Sequence, residues 1–366
     1  MKVDYQKIGL KRIDTYIINK FLGTFFFCMV LILSISVIFD LTEKLDNFFE
    51  SNAPLKAIVF DYYLNFIPFY LNMFTPLFTF IAVIFFTSKM AGDNEIIAIL
   101  SSGVSFNRLM LPYFLSATFI ALFSFGLGGY VIPHSTKKML DFENQYVKKF
   151  KPENARNVQM EIEKGVILYI ERFEITTNRG YHFSLEKFDG KKLVSRLTAE
   201  SIKWDSAYHW TITNYLQRDF VGMHEKIKKG DVLDTVINVQ PKEFFITSKE
   251  SAQLSNNELR NYLHRQRERG VGNIQAFENE YHKRYSMPFA AFVMTLIGVS
   301  LSSRKVRGGM GLHLGIGIAL SALYILFSTI STTFSVSGVM SPFLAVWLPN
   351  FVFILIGFYL YSTAPK

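Results

Sequence analysis

Long apolar runs alternate with short polar loops along most of this chain of 366 residues. An apolar helix of about 20 residues is long enough to cross a hydrocarbon core of about 30 Å. The first run is too long for a signal peptide, and no small-residue cleavage site follows it. The pattern predicts six membrane-spanning helices, at residues 18–40, 60–87, 109–133, 286–303, 311–334 and 342–362.

A polar stretch interrupts these runs between residues 134 and 283. From about 157 to 247, apolar and polar residues alternate with a period of two, and turn signals containing glycine separate the segments. Short strands at this spacing predict an antiparallel sandwich or partly open barrel of about seven to ten strands. A helix capped by Ser255 and Glu258 follows, and a second helix is predicted to run into the fourth span.

The predicted fold is therefore a polytopic α-helical membrane protein with an all-β domain inserted between its third and fourth spans. Residues 1–133 form the first transmembrane half, 134–283 the inserted domain and 284–366 the second half. In the fifth span, Gly311 and Gly315 form a G-x-x-x-G motif, and Gly317 and Ser321 repeat this spacing of small residues, which lets a neighbouring helix approach closely.

The positions of the basic residues predict the orientation of the spans. They lie before the first span, between the second and third, and between the fourth and fifth, whereas the opposite short loops carry only Lys44 and Lys56. Lys and Arg are retained on the cytoplasmic side, so both termini are predicted to be cytoplasmic and the large domain extracytoplasmic. The basic residues behind this prediction are Lys2, Lys7, Lys11, Arg12, Lys20, Lys89, Arg108, Arg304, Lys305 and Arg307.

Composition and motifs narrow the possible functions. The formal net charge of +9 follows largely from this loop bias, and no nucleic-acid-binding motif is present. The single cysteine, Cys28, cannot form an internal disulfide. The chain has no G-x-x-x-x-G-K-[ST] phosphate loop, no G-x-S-x-G elbow and no H-E-x-x-H motif. We therefore expect no catalytic residue, no bound metal and no ATP hydrolysis by this chain.

The loop between the second and third spans, at about 88–105, carries the most informative motif. Asp93 or Asn94 is placed to cap a short helix, Glu95 suits its positive end, and Gly103 ends it. About two helical turns are too short to cross a bilayer, so the segment is predicted to be either an interfacial loop or a helix that docks into a cytoplasmic partner. One apolar flank is predicted from Ile96, Ile97, Ile99 and Leu100.

Five segments together resemble the lipopolysaccharide-export permeases LptF/LptG, also called YjgP/YjgQ, and the resemblance covers nearly the whole chain. They are I-D-T-Y-I at 13–17, N-E-I-I-A-I-L-S-S-G-V-S at 94–105, the pair Trp204 and Trp210, K-R-Y-S-M-P-F-A at 283–290, and V-S-G-V-M-S-P-F-L-A-V-W-L-P-N at 336–350. The last segment looks more like the LptG branch, although Asp40 stands where that branch can carry a basic residue.

The resemblance implies a permease subunit of an ATP-driven ABC exporter in the bacterial inner membrane. Its expected partners are a related permease, a cytoplasmic ATPase dimer holding ATP and Mg, periplasmic bridge proteins and lipopolysaccharide. The outward domain would be a periplasmic β-jellyroll that passes lipid to the bridge. The segment at 88–105 would be the coupling helix, with Asp93, Glu95, Ile96, Leu100 and Gly103 as its partner-contacting residues.

Basic residues near the outer ends of the spans are the candidates for binding the anionic headgroup. These are Lys44, Lys137, Lys138, Lys283 and Arg284. Each of them is also explained by interfacial anchoring. Two other functions stay open from the sequence: an ion-gradient-driven secondary transporter and a membrane-anchored envelope scaffold.

Overall fold

The computed structural model describes residues 11–147, 155–222, 224–241, 244, 251–268, 274–304 and 309–364. These fall into two compact units. A helical unit comprises residues 1–147 and 278–366, and a sheet unit comprises 148–277. The inserted domain is thus shorter than the predicted 134–283, because the helices on both sides of it continue beyond the apolar runs.

Eight helices are described, and their bounds are α1 Arg12–Glu50, α2 Leu55–Gly92, α3 Glu95–Ser101, α4 Phe106–Val147, α5 Asn256–Glu268, α6 Gln275–Ser302, α7 Gly309–Val336 and α8 Pro342–Thr363. Six of them, all except α3 and α5, are long and apolar enough to span a membrane. The predicted six spans are confirmed. The helix predicted at 88–105 is shorter, since residues 88–92 still belong to α2.

Two of the long helices contain π-helical turns, at residues 58–63 of α2 and at 127–131 and 143–147 of α4. A π turn accommodates one extra residue without ending the helix, and such turns are frequent at functional sites. The second one includes Gly128, whose missing Cβ would lie 3.6 Å from Nδ2 of Asn72 in α2. The π turn and the glycine therefore allow α4 to approach α2 closely.

Helix α2 packs against both groups of its neighbours. On one side Phe86 stacks on Tyr113 of α4 with ring centroids 5.3 Å apart, and both lie close to Phe21 of α1. On the other side Ile84 joins a cluster with residues of α6, α7 and α8. A Cβ at Gly317 of α7 would lie 2.4 Å from Ile84, whereas Gly311 and Gly315 face open space. Of these three glycines, only Gly317 thus meets a neighbouring helix within the described part of the chain.

A buried polar group joins the last three spans. Asn350 of α8 is fully buried, and its amide donates to the Ser286 carbonyl of α6 at 3.0 Å. The Tyr324 hydroxyl of α7 donates to the Asn350 side-chain oxygen, also at 3.0 Å. Hydrogen bonds of this kind hold helices together where lipid provides no hydrophobic driving force.

The described part of the sheet unit contains six antiparallel strands, against the roughly seven to ten expected from the sequence, in the order β1-β2-β3-β4-β5-β6. Their bounds are β1 Ala155–Glu163, β2 Val166–Glu174, β3 Arg179–Asp189, β4 Lys192–Ser206, β5 His209–Val221 and β6 His224–Val236. Each described strand pairs only with its neighbours in sequence, which makes a meander. A jellyroll would also pair strands distant in sequence, so that topology stays a prediction; residues 148–154, 242, 243 and 245–250 lie outside the described part.

Cross-strand rows of apolar residues form the core of the sheet unit. Ile170, Phe183 and Ala199 are paired across β2, β3 and β4, and all three are buried. Trp204 and Trp210 are paired across the β4–β5 hairpin. Trp210 is the more buried of the two, and its indole N–H donates to the Val239 carbonyl at 3.2 Å.

The chain then returns to the helical unit through α5. The Ser255 backbone N–H donates to the Glu258 carboxylate at 2.8 Å, and the Glu258 N–H donates to the Ser255 hydroxyl at 3.4 Å. This reciprocal pair is the predicted capping box. Helix α6 is continuous from Gln275 into the fourth span, which confirms the prediction of a single helix there.

The β1–β2 turn generates a prediction about stability. Gly165 has φ +79°, and a Cβ there would lie 2.6 Å from the Phe188 carbonyl oxygen of β3, whereas Gly190 has φ +60° and open space around it. Gly165→Ala should therefore lower the free energy of unfolding of the sheet by about 3 kcal/mol, and Gly190→Ala by about 1 kcal/mol. Hydrogen exchange of the strand amides in the detergent-solubilised chain measures both. Equal effects would contradict the close backbone approach.

Candidate coupling and headgroup sites

The loop joining α2 to α4 folds as a hairpin around α3, and we call residues 93–108 the α3 hairpin. Asn94 precedes the helix with φ +62°, in the left-handed region that Asn tolerates better than most residues. No side-chain hydrogen bond caps α3, so the predicted capping by Asp93 or Asn94 is wrong. Glu95 begins the helix, half-buried, and Asp93 is exposed.

The apolar residues of α3 do not form the single flank that the sequence indicated. Ile96 is 1% exposed and Ile99 is also buried, while Leu100 packs against the same core of the helical unit. Ile97 points the other way and is 53% exposed. The inner residues fasten the hairpin to the spans, and Ile97 is the large apolar residue that α3 presents outward.

The end of the hairpin is defined by Gly103 and Ser105. Gly103 has φ +86° with open space where a side chain would be, so the backbone conformation, not crowding, favours glycine there. The Ser105 hydroxyl accepts a hydrogen bond from the Arg108 N–H at 3.3 Å and thereby caps α4.

Two polar contacts join the hairpin to the first helix. The Arg108 guanidinium donates to both carboxylate oxygens of Asp14, at 2.7 and 2.6 Å, and Asp14 is fully buried. The Tyr16 hydroxyl donates to the Glu95 carboxylate at 3.2 Å. The sequence alone did not predict that Asp14 pairs with Arg108. The available signal was an acid in the first turn of one span and a base in the first turn of another, at the same predicted membrane boundary.

The ammonium of Lys44, the first headgroup candidate, is bound by other residues of this chain. Its ammonium lies 2.9 Å from the Asp40 carboxylate and 3.2 Å from that of Glu143 in α4, and it also contacts the hydroxyl of buried Tyr62 in α2. The group therefore joins α1, α2 and α4 at one end of the unit. Asp40, the residue that departs from the LptG pattern, is one of the two acids that hold it.

The other four candidates divide into two pairs. Lys137 and Lys138 are exposed on α4. Arg284 is 4% exposed, and its Nε donates to Glu280 one turn earlier at 3.2 Å. Lys283 and Arg284 line a small cavity between α2, α4 and α6 together with Asn72, Gly128 and Met287, and that lining does not include Lys44, Lys137 or Lys138.

No metal-ligand constellation accompanies these groups within the described ranges: nowhere in them do three or more His, Cys, Asp or Glu side chains come together in a way that could hold an ion. The two candidate sites thus consist of a hairpin with an exposed polar and apolar edge, and a set of cations at the opposite helix ends.

A comparison with sequence families identifies the chain's relatives. The family described as "Lipopolysaccharide export system permease LptF/LptG" matches residues 15–363. The chain belongs to this family. It is therefore a permease subunit of the lipopolysaccharide export system, a transporter component and a multi-pass protein of the inner membrane. No curated protein sequence matches the chain.

The family match covers all six spans and the sheet unit, so both belong to the permease. The matched range includes every candidate site residue named from the sequence. It also includes Tyr16 and Arg108, the residue that binds Asp14. The match does not separate the LptF branch from the LptG branch.

The cluster around Lys44 generates a prediction about the permease's stability. Lys44→Met would leave the half-buried carboxylates of Asp40 and Glu143 without their cation, and because breaking a fully buried pair costs about 3–5 kcal/mol, we expect a loss of about 2 kcal/mol here. Thermal unfolding in detergent should show a clearly lower midpoint. Lys56→Met, which removes an exposed cation from the first turn of α2, is the matched control and should change stability by less than about 0.5 kcal/mol. Identical midpoints for the two variants would contradict the role of Lys44.

Proposed function

We propose that this permease is one membrane subunit of an ATP-driven ABC exporter that extracts lipopolysaccharide from the inner membrane and passes it to a periplasmic bridge. The family match over residues 15–363 carries the proposal. A separate ATPase dimer, holding ATP and Mg, supplies the energy. The match favours this function over a secondary transporter or an envelope scaffold.

The orientation of the permease follows from the short-loop charges. Both termini and the α3 hairpin face the cytoplasm, and the sheet unit faces the periplasm. Of the basic residues behind this inference, Lys11, Arg12, Lys20, Lys89, Arg108 and Arg304 are described, whereas Lys2, Lys7, Lys305 and Arg307 lie outside the described residues.

The α3 hairpin is the docking site for the ATPase. Asp93, Glu95 and the exposed Ile97 provide charge and apolar surface on its outer side. Ile96 and Leu100 support the helix from within, and Gly103 shapes the turn into α4. A hairpin anchored on one side and open on the other suits a part that receives force and transmits it to the spans.

A related permease pairs with the helical unit along α1 and α7. These two helices are the least buried spans: only 22% of the most apolar stretch of each is buried, against 56% for α2 and 67% for α6. Gly311 and Gly315 on α7 leave room for a close approach. Lipid chains would enter between the two permeases, since transferring them through water costs about 0.8 kcal/mol for each methylene.

The headgroup phosphates bind to cations at the periplasmic ends of the spans. Lys137 and Lys138 are accessible to a ligand as they stand. Lys44 and Arg284 already contact carboxylates, so an anion would have to compete with Asp40, Glu143 and Glu280 for them. Lys283 lies beside Arg284 and is half-buried. The lipid then passes along the apolar interior of the sheet domain, in a permease closer to the LptG branch.

The coupling role of the hairpin is tested by Glu95→Lys. Reversing the charge at the start of α3 should reduce copurification of the ATPase and lipid export by on the order of tenfold. Asp141→Lys, a charge reversal at an exposed position near the far end of α4, is the control and should leave both unchanged. Membrane insertion should persist in both variants. Normal ATPase binding and export by Glu95→Lys would exclude this residue from the coupling site.

The headgroup role is tested by reversing Lys137 and Lys138 together. Because both cations are exposed, each contributes modestly, and crosslinking of a photoactivatable lipopolysaccharide should fall roughly fivefold. Lys56→Glu, at an exposed lysine on the same predicted side, is the control for general surface charge. Crosslinking that is the same in the double variant and in wild type would remove both lysines from the candidate set.

A further inference from the structure

The inner end of α1 carries a pair of polar contacts that the proposed function does not use. Asp14 and Tyr16 lie in the first two turns of α1 and reach two different parts of the α3 hairpin. Asp14 binds Arg108, at the end of the hairpin, and Tyr16 binds Glu95, at the start of α3. The contacts join segments 94 and 79 residues apart in sequence.

The Asp14–Arg108 contact has a fixed geometry. Arg108 Nη1 donates to Asp14 Oδ1 and Arg108 Nη2 donates to Asp14 Oδ2, and the Lys11 backbone N–H also donates to Oδ2 at 2.9 Å. A bidentate pair fixes orientation as well as distance. Asp14 is 0% exposed, and the Arg108 side chain is 33% exposed. The carboxylate is therefore bound to its own helix and to α4 at the same time.

Between this inner end and the Lys44 cluster near its outer end, α1 is held by one apolar edge. Its buried residues beyond Asp14 in the span recur every fourth position, at Ile17, Phe21, Phe25, Met29 and Leu33. Most of its remaining surface is exposed, including Phe27, Val30 and Ile38. An apolar edge of this kind resists separation but allows sliding and rotation, because it contains no directional bond. The polar contacts at the inner end are directional and fix the position of α1 relative to the α3 hairpin.

The hairpin is the part of the permease on which the partner ATPase acts under the proposed function. Its covalent connections lead to α2 and α4, and α1 is joined to it only through side chains. We infer that Asp14–Arg108 and Tyr16–Glu95 together form a latch through which displacement of the α3 hairpin moves α1. In this role Asp14, Tyr16 and Arg108 are positioning residues, and the inference rests on the proposed function.

Through the latch, displacement of the α3 hairpin moves α1 during the transport cycle. One of the two least buried spans thus responds directly to the hairpin, in addition to the two spans that the hairpin connects. Without the latch, the ATPase would still dock on the outer side of α3, but α1 would follow only through its apolar edge and the Lys44 cluster at its far end. ATP hydrolysis and lipid movement would then become uncoupled.

Asp14→Asn tests this inference in the reconstituted complex with the ATPase and the second permease. The asparagine amide oxygen can still accept the Lys11 N–H, so the helix start is retained while the ion pair is lost. Arg108→Lys keeps the positive charge but cannot donate two parallel hydrogen bonds to the carboxylate, and it is the milder second variant. Arg12→Gln removes an exposed charge from the same turn of α1 and is the matched control.

We expect Asp14→Asn to keep ATPase binding and hydrolysis within about twofold of wild type, while lipid released for each ATP falls roughly tenfold. Arg108→Lys should give a smaller fall, and Arg12→Gln none. A second readout follows α1 itself. With Cys28→Ser, spin labels at the exposed positions Val30 and Leu355 report an ATP-dependent distance change that should be at least halved in Asp14→Asn and intact in Arg12→Gln.

Three results would overturn the latch. One is an Asp14→Asn complex whose lipid yield for each ATP and label movement equal those of wild type. Another is loss of ATPase binding in Asp14→Asn and Arg108→Lys, because the pair would then only shape the docking surface. The third is a wild-type complex that binds no ATPase and moves no lipid, in which case the proposed function fails with it. The first two results leave the proposed function standing, so the failures are distinguishable.

Discussion

The need to pair every backbone amide and carbonyl inside a hydrocarbon layer governs this structure. Lipid offers no hydrogen-bond partner, so the spans must be helical along their whole length. Pro76 removes the bond to the Asn72 carbonyl within α2, yet the helix continues. The nearby hydroxyls of Thr75 and Thr79 donate to backbone carbonyls at 2.9 and 2.8 Å. All six described strands are confined to the one insert between α4 and α6.

The same constraint explains why charges near the span ends have partners within the chain. Asp14 binds Arg108 at one end of the helical unit, and Lys44 binds Asp40 and Glu143 near the other. An ionisable group that is partly removed from water requires such a partner. The consequence for function is that sequence position alone does not identify a ligand-binding cation. Exposed Lys137 and Lys138 differ physically from Lys44 although all three lie near span ends.

Hydropathy was sufficient to predict the number of spans, because about 20 apolar residues in succession have few alternative explanations. It underestimated helix length, since polar residues such as those at 134–147 continue α4 outside the apolar run. Strand alternation predicted the sheet, but not the strand order, which depends on contacts that a periodic pattern does not specify. The capping box at Ser255 was predictable because it is local.

The candidate sites were predictable to a smaller extent. Glu95 begins α3 and Gly103 lies in the turn that follows it, as their residue types indicated. The inward position of Ile96 and the outward position of Ile97 depend on which face meets the spans, and two helical turns do not fix that. The pairing of Asp14 with Arg108 joins residues 94 positions apart. No local rule connects them, and only the packing of α1 against α4 brings them together.

The meander order of the sheet has a consequence for how the chain is made. Every described strand finds its partner in the segment synthesised just before or after it. Pairing between neighbouring strands closes shorter loops than pairing between distant ones and therefore favours faster folding, so the insert is able to fold while the C-terminal spans are still emerging from the ribosome. The helical unit assembles more slowly, because α6, α7 and α8 must pack against helices made more than 130 residues earlier. Early completion of the sheet keeps its strands from competing for partners during that slower assembly.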